Sequence, residues 1–252
     1  MRWCRYTLDG RVRWGRIEGE EVLPWTGPPW DPSAEQSRGA PSALEDVQLE
    51  VPVEPSKIVA VGRNYPAHAE ELGNAVPSEP LLFLKPPSSL LRHGGAIELP
   101  RESERVEFEG ELGLVIGRRC RRISPSEVGE CLAGITCFID VTARDLQRHD
   151  VQFTRAKGFD TFGPCGPWGV SHVDPGDLRL ITELNGEVRQ DARTTEMVHS
   201  PQNLVSYISG IMTLDPGDLI VTGTPAGVGS LVSGDSIMVT IEGVGALANT
   251  VL

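Results

Sequence analysis

The stretch Val106–Gly117, VEFEGELGLVIG, sets three glutamates at alternate positions, Glu107, Glu109 and Glu111, and then runs into an apolar segment. Read as a β-strand, it puts three carboxylates on one face, with successive same-face residues about 7 Å apart along the chain. The other face carries Val106, Phe108, Gly110 and Leu112, which suits contact with a core. Alternating glutamates are most often a solvated sheet face. Like charges this close repel, however, and a strand that continues into a core needs something to hold them together. Asp140, at the end of the apolar run GITCFID (134–140), is the candidate third member, because burying an unpaired carboxylate there is costly. Two same-face carboxylates plus one from a neighbouring strand are the oxygen-ligand set that a hard divalent cation prefers.

Outward from this stretch the pattern stays β-rich. KIVAVG (57–62), LLFLKP (81–86), LIVTGTP (219–225) and SIMVTI (236–241) read as apolar strands broken by Gly and Pro. At the N-terminus, RWCRYTL (2–8), RVRWGRI (11–17) and EEVLPW (20–25) form a small meander with turn signals at Asp9-Gly10 and Glu18-Gly19. The Pro/Gly/Ser-rich segment 26–42 reads as a connecting loop. Helical signals are short: PAHAEELG (66–73), a segment after Pro125, and PQNLVSYISGIMTL (201–214), with Ser200 as N-cap and Pro201 at its first position. The expected layout is a small N-terminal β-domain, residues 1–50, followed by a large mixed-sheet domain, residues 51–252.

Composition excludes several classes. With 39% hydrophobic and 23% charged residues the chain can bury a sizeable core and is not a disordered polymer. A net charge of −12 argues against sequence-independent binding to nucleic acid or anionic lipid. Five cysteines form no C-x-x-C, no apolar run reaches the roughly 18 residues of a membrane span, and the N-terminus carries no apolar leader. A cytoplasmic protein with reduced, mostly buried thiols is the expectation. Only three lysines occur, Lys57, Lys85 and Lys157, so the setting of each is informative.

Seven motifs, GRNYPAHAEELG (62–73), LLFLKP, FEGELGLVIG (108–117), IDVTARDLQ (139–147), FTRAKGFDTFGPCGPW (153–168), LNGEVRQ (184–190) and VTGTPAGVG (221–229), occur in order across residues 55 to 250. Together they resemble the fumarylacetoacetate hydrolase family, most closely its bacterial acylpyruvate hydrolases, oxaloacetate decarboxylases and 2-hydroxyhepta-2,4-diene-1,7-dioate isomerases. The resemblance implies a mainly β (α+β) fold, a large mixed β-roll that usually dimerises, with the small N-terminal β-domain many members carry. It implies a Mg²⁺ or Mn²⁺ site, Ca²⁺ also suiting oxygen ligands, on Glu109, Glu111 and Asp140. Glu107 has no ligand counterpart and is expected to be solvated or to support its neighbours.

The same resemblance implies roles for residues whose bland readings are otherwise the commoner ones. His68, a surface histidine by default, becomes with Glu71 (i, i+3) a water-activating dyad on a lid. Lys157, a surface lysine by default, becomes the ammonium that stabilises an enolate or oxyanion. Thr224 and nearby amides, with Gln190 assisting, hold a substrate carboxylate; the loop lacks the G-K-[ST] ending of a phosphate loop. Arg144 either positions substrate or pairs with an acidic neighbour, and Lys85 receives no chemistry. Cys165 and His199 stand where relatives tend to have apolar side chains.

The implied activity is that of a metal-dependent enzyme acting on a 2-oxo or 2-hydroxydienoic acid through a metal-stabilised enolate. Isomerisation of the dienedioate type and C–C hydrolysis of acylpyruvates are the leading forms, and decarboxylation of the oxaloacetate type is the alternative. The alternative from another class is a non-enzymatic β-protein whose acidic cluster binds Ca²⁺ for stability.

Overall fold

The computed structural model describes all 252 residues. Three sheets dominate it, with few helices, so the fold class matches the mainly β expectation. The stretch that carries the glutamates does not form one strand. Val106–Phe108 belongs to a three-stranded sheet with Thr142–Ala143 and Gly229–Ser230. Gly110–Ile116 lies in a twelve-stranded sheet, between Leu132–Ile139 and Leu219–Val221. The chain changes sheet at Glu109.

Its antiparallel partner changes sheet at the same level. Gly110 pairs with Ile139 in the large sheet, Glu107 pairs with Thr142 in the small one, and Asp140 lies between. The Asp140 N–H donates to the Glu109 carbonyl at 2.8 Å, which closes the crossing. A two-stranded ribbon thus passes from one sheet to the other, with one acidic residue at each crossing point. Gly110 has a packing reason: a Cβ there would lie 2.1 Å from Thr182 Oγ1. Both faces of Gly110–Ile116 are buried, Leu112, Leu114 and Ile116 in the main apolar cluster and Val115 in a second one. Such a strand needs a near-continuous apolar run rather than alternation, which LGLVIG supplies.

A third, five-stranded sheet is built on two hairpins. Arg179–Leu184 and Glu187–Arg193 are joined at Asn185-Gly186, both in the left-handed region. Ser236–Ile241 pairs with Gly245–Val251 beside them. Two helices fall where expected, at Pro66–Glu71 and Pro201–Ile211, the latter capped by Ser200 Oγ accepting from Asn203 N at 3.3 Å, and two short ones, Arg144–His149 and Thr154–Lys157, were not expected. The segment after Pro125 is a 3-10 turn, Pro125–Glu130.

The N-terminal meander, Arg2–Leu8, Arg11–Glu18 and Glu21–Trp25, joins the large sheet through Arg2↔Val170 and Trp3↔Gly169. Its partner Gly163–Val170, GPCGPWGV, is rich in Gly and Pro, the residues least suited to a strand interior. Tertiary contact explains it. The Trp3 ring lies on Gly169 so closely that a Cβ would sit 2.0 Å from it. Trp3 also packs edge-on against Trp30 at 5.5 Å, and Trp30 against Trp14 at 5.5 Å. We expect Gly169→Ala to force the Trp3 ring aside and destabilise the protein by about 1–3 kcal/mol. Urea unfolding followed by tryptophan fluorescence checks this; an unchanged midpoint contradicts it.

Candidate active site

The two crossing residues and Glu111 converge. Glu109, Glu111 and Asp140 are all buried, and one carboxylate oxygen from each lies within 4.8 Å of the others. Glu107 is buried as well, 1% exposed, so the reading of it as solvated is corrected. Arg144, the first residue of the helix Arg144–His149, explains why: its Nε donates to Glu107 and its Nη2 to Glu109, both at 2.6 Å. Arg105 closes the other side of Glu107 at 2.6 Å. Of the two readings of Arg144, pairing with acidic neighbours is the one the contacts bear out.

Two lysines complete the floor. Lys157 Nζ donates to Glu109 at 2.8 Å and to Asp140 at 2.7 Å, beneath the Phe83 ring at 5.1 Å. Lys85, for which the sequence suggests no chemistry, donates to the other Asp140 oxygen at 2.7 Å and to the Lys157 carbonyl. Lys85 thereby fixes both the acid and the lysine opposite it. Burial lowers Lys85, outweighing its attraction to Asp140, with Lys157 adding repulsion. For Lys157 burial also acts downward, but Asp140 and Glu109 prevail and hold its ammonium above the ordinary lysine value.

The carboxylates divide in the same way. Burial acts to raise Glu109, yet Lys157, Arg144 and His68 outweigh it and hold the group well below the usual carboxylate range. Glu111 has no cation bonded to it, and the charge of nearby Lys157 offsets only part of the burial. Its only hydrogen bond is from the Gly223 N–H at 2.8 Å, and burial, then Asp140 and Glu109, push its carboxyl well above the usual range. A buried carboxylate lacking a countercharge, beside two others, is a donor set that fits a hard divalent cation.

A cavity of about 250 Å³ opens on this floor. His68 lines it, 4% exposed, with Nδ1 3.2 Å from Glu71. The second Glu71 oxygen accepts from the Gly227 N–H at 3.1 Å, which ties the helix Pro66–Glu71 to the loop after Leu219–Val221. Thr224 lines the cavity, but its hydroxyl donates to the Gly110 carbonyl at 2.9 Å and accepts from Gln190 at 2.8 Å. Gln190 is not among the lining residues. Its amide also bonds Gly110 N and the Pro225 carbonyl, so it holds the loop against the glutamate strand from behind. His199 is placed through its backbone, which exchanges hydrogen bonds with the Asn64 side chain at 2.9 and 3.0 Å. Cys165 is a buried core residue.

With the geometry established, comparison places the chain. The family model described as "Fumarylacetoacetate (FAA) hydrolase C-terminal" matches residues 57–252, and "Rv2993c-like, N-terminal" matches residues 1–52. The chain belongs to the fumarylacetoacetate hydrolase family. Protein Rv2993c of Mycobacterium tuberculosis is 49% identical over 212 residues, 83% of this chain and 80% of that protein. A mitochondrial protein of Arabidopsis thaliana named oxaloacetate tautomerase FAHD1 is 46% identical over 195 residues, 75% of this chain and 87% of its own. The crystal structure of a 2-hydroxyhepta-2,4-diene-1,7-dioate isomerase from Mycobacterium marinum superposes with a TM-score of 0.92 at 43% identity, covering 100% and 98% of the two chains. The chain is an enzyme of this family, which sets aside the non-enzymatic Ca²⁺-binding alternative.

The residues that sequence reading passed over are Arg63, Gln147 and Arg148, all on the cavity wall. Their signal was present, since Gln147 and Arg148 stand three and four residues after Arg144 on one helix face.

Two outcomes are expected. Because the folded state holds the Glu111 proton more tightly than the unfolded chain does, the metal-free protein loses stability as pH rises above about 4.5 through the raised value. Glu111→Gln should remove that loss while weakening Mg²⁺ binding, and Mg²⁺ binding to the unaltered protein should release a proton. Urea midpoints against pH, and calorimetry in buffers of different ionisation enthalpy, report both. Glu107→Gln should destabilise by about 1.5–3 kcal/mol, the size of a lost charge-assisted hydrogen bond, since it leaves the buried Arg144 with one carboxylate instead of two; a change under about 0.5 kcal/mol in chemical unfolding contradicts this.

Proposed function

We propose that this enzyme interconverts 2-oxo acids and their enol or dienol forms by proton transfer through an enolate, in the manner of a 2-hydroxyhepta-2,4-diene-1,7-dioate isomerase or an oxaloacetate tautomerase. The observation that carries the reading is Glu111, buried without a countercharge beside two ion-paired carboxylates. Glu109, Glu111 and Asp140 would hold Mg²⁺ or Mn²⁺, which when bound would supply Lewis-acid polarisation of the 2-oxo group.

The chain's own residues do the rest. Lys157 places a fixed ammonium, already held charged by Glu109 and Asp140, where negative charge develops on the enolate oxygen. His68, oriented by Glu71, takes and returns the proton at C3. Leu72, Leu81 and Phe83 on the wall exclude water from the reacting carbons. The Thr224 loop, braced by Gln190, closes the side of the cavity that faces the substrate carboxylate. The His68–Glu71 pair also supports a second reading, C–C hydrolysis of acylpyruvates, with His68 activating water. Decarboxylation needs no base. The family resemblance further supports a homodimer working in the cytoplasm; no helix is long and apolar enough to cross a membrane.

The test is solvent deuterium incorporation at C3 of 2-oxo acids, with product analysis. With Mg²⁺ we expect exchange that a chelator abolishes in still-folded protein. His68→Ala should slow it by about 10²–10⁴, and Lys157→Met by about 10²–10³. Full exchange in Lys157→Met overturns the shared-enolate mechanism, and cleavage products without exchange favour the hydrolytic reading.

A further inference from the structure

Of the three carboxylates that converge on the cavity floor, two are held by cationic side chains. Glu109 accepts from Lys157 and Arg144, and Asp140 from Lys85 and Lys157. Glu111 accepts only from the Gly223 N–H, on one of its two oxygens. A carboxylate that ligates a cation keeps lone pairs directed away from it, and hydrogen bonds to those lone pairs set the ligand's orientation. A second donor for Glu111 has to come from a buried group whose hydrogen-bonding capacity the fold leaves unused.

The Tyr65 hydroxyl is such a group. It has no protein partner, and the residue is only 1% exposed. The large sheet brings it to Glu111. Leu219–Val221 lies between Gly110–Ile116 and Ile58–Gly62, and Gly113 and Ala60 both pair with Val221. Two residues further along those registers, Glu111, Gly223 and Gly62 stand at one level on the ends of three adjacent chains. There the Gly223 backbone is packed on Asn64, so that a Cβ on Gly223 would lie 2.8 Å from Asn64 Cβ and 3.4 Å from Asn64 N. Tyr65 is the next residue. Burial pushes its hydroxyl above the ordinary tyrosine value, and the negative charge of Glu111 adds most to that, ahead of Glu196. The other buried hydroxyl without a protein partner, Thr182 Oγ1, lies against Gly110 and hence on the opposite face of the strand from Glu111.

We propose that Tyr65 is a positioning residue whose hydroxyl donates to the Glu111 carboxylate, orients it towards the cation site, and so ties the start of the His68 helix to metal occupancy. This inference rests on the proposed function, in which Glu109, Glu111 and Asp140 hold a divalent cation. Tyr65 caps the helix Pro66–Glu71, its carbonyl accepting from Ala69 N at 3.1 Å. Six residues make a helix too short to be stable alone, yet it carries both His68 and Glu71. Its far end is fastened by Glu71 to the Gly227 N–H. Tyr65 fastens the near end to the floor. The group that orients a metal ligand is thus also the anchor of the general base.

The experiment uses Tyr65→Phe, which removes the hydroxyl and keeps the ring. Calorimetric titration with Mg²⁺ should show affinity reduced by about 10–100-fold, the usual cost of losing a hydrogen-bond partner of a metal ligand. The urea midpoint of the metal-free protein should not fall, because the hydroxyl has no protein partner to lose. Thr182→Val, which removes the other unpartnered hydroxyl, should leave Mg²⁺ affinity as it was. Amide hydrogen exchange read by mass spectrometry should show residues 66–73 gaining protection on Mg²⁺ addition in unaltered protein, and gaining none in Tyr65→Phe at saturating Mg²⁺. Unchanged affinity in Tyr65→Phe overturns the contact with Glu111, and so does an equal loss in Thr182→Val, which marks general loosening of the strand. A lowered metal-free midpoint gives the hydroxyl a merely structural role and overturns the proposal. Equal protection in both proteins overturns the tie to the helix. Mg²⁺ failing to bind unaltered protein overturns the metal reading itself, and this inference with it.

Discussion

Four carboxylates buried at one place where a β-ribbon changes sheets are the constraint on which the rest of this structure depends. Glu109 and Asp140 are the crossing residues, and Glu107 and Glu111 stand on either side of Glu109. Left alone, such a cluster would repel itself strongly in a low-dielectric interior. Each neighbouring element contributes a remedy. Arg144 comes from a short helix, Lys157 from the end of another, Thr154–Lys157, Lys85 from the end of Leu81–Lys85, and the Gly223 N–H from the loop after Leu219–Val221. The sheet crossing and the site are one object.

This arrangement links stability to chemistry. Breaking a buried pair by removing one partner is expensive because it strands a charge, so Lys85, Arg144 and Glu107 are held by the fold as well as by function. Glu111 differs. It is the position where burial is left without a countercharge, and its raised carboxyl pKa is the local expression of that deficit. A protein that keeps such a deficit in its interior holds a site for a proton or for a hard cation.

The three lysines show the same principle outside the site. Lys57 pairs with Asp218, which is fully buried and also accepts from Ser56 and from the backbone of Asp215. Lys85 and Lys157 share Asp140. In a chain whose basic residues are otherwise arginine, every lysine binds a buried aspartate. A compact ammonium fits such a place where a planar guanidinium does not. The Lys57–Asp218 pair anchors the strand Leu219–Val221, and through it the loop that reaches Glu111 and Thr224.

What the sequence determined by itself was local and periodic. Alternation exposed the three glutamates, apolar runs marked five strands of the large sheet, and Ser200-Pro201 marked a helix start, because each signal lies within a few neighbouring residues. The acidic triad was legible for the same reason, since Glu109 and Glu111 are two apart and Asp140 ends an apolar run. Tertiary structure alone decided the break at Glu109, because the pairing of Glu107 with Thr142 and of Gly110 with Ile139 depends on a partner some thirty residues away. It decided that Gly163–Val170 is a strand, since the Trp3 ring needs Gly169 and no β-propensity announces it. It moved Glu107 from a solvated face into an arginine clamp, and Gln190 from the cavity to the back of the loop. Which charges meet is a property of distance in space, and the sequence records only distance along the chain.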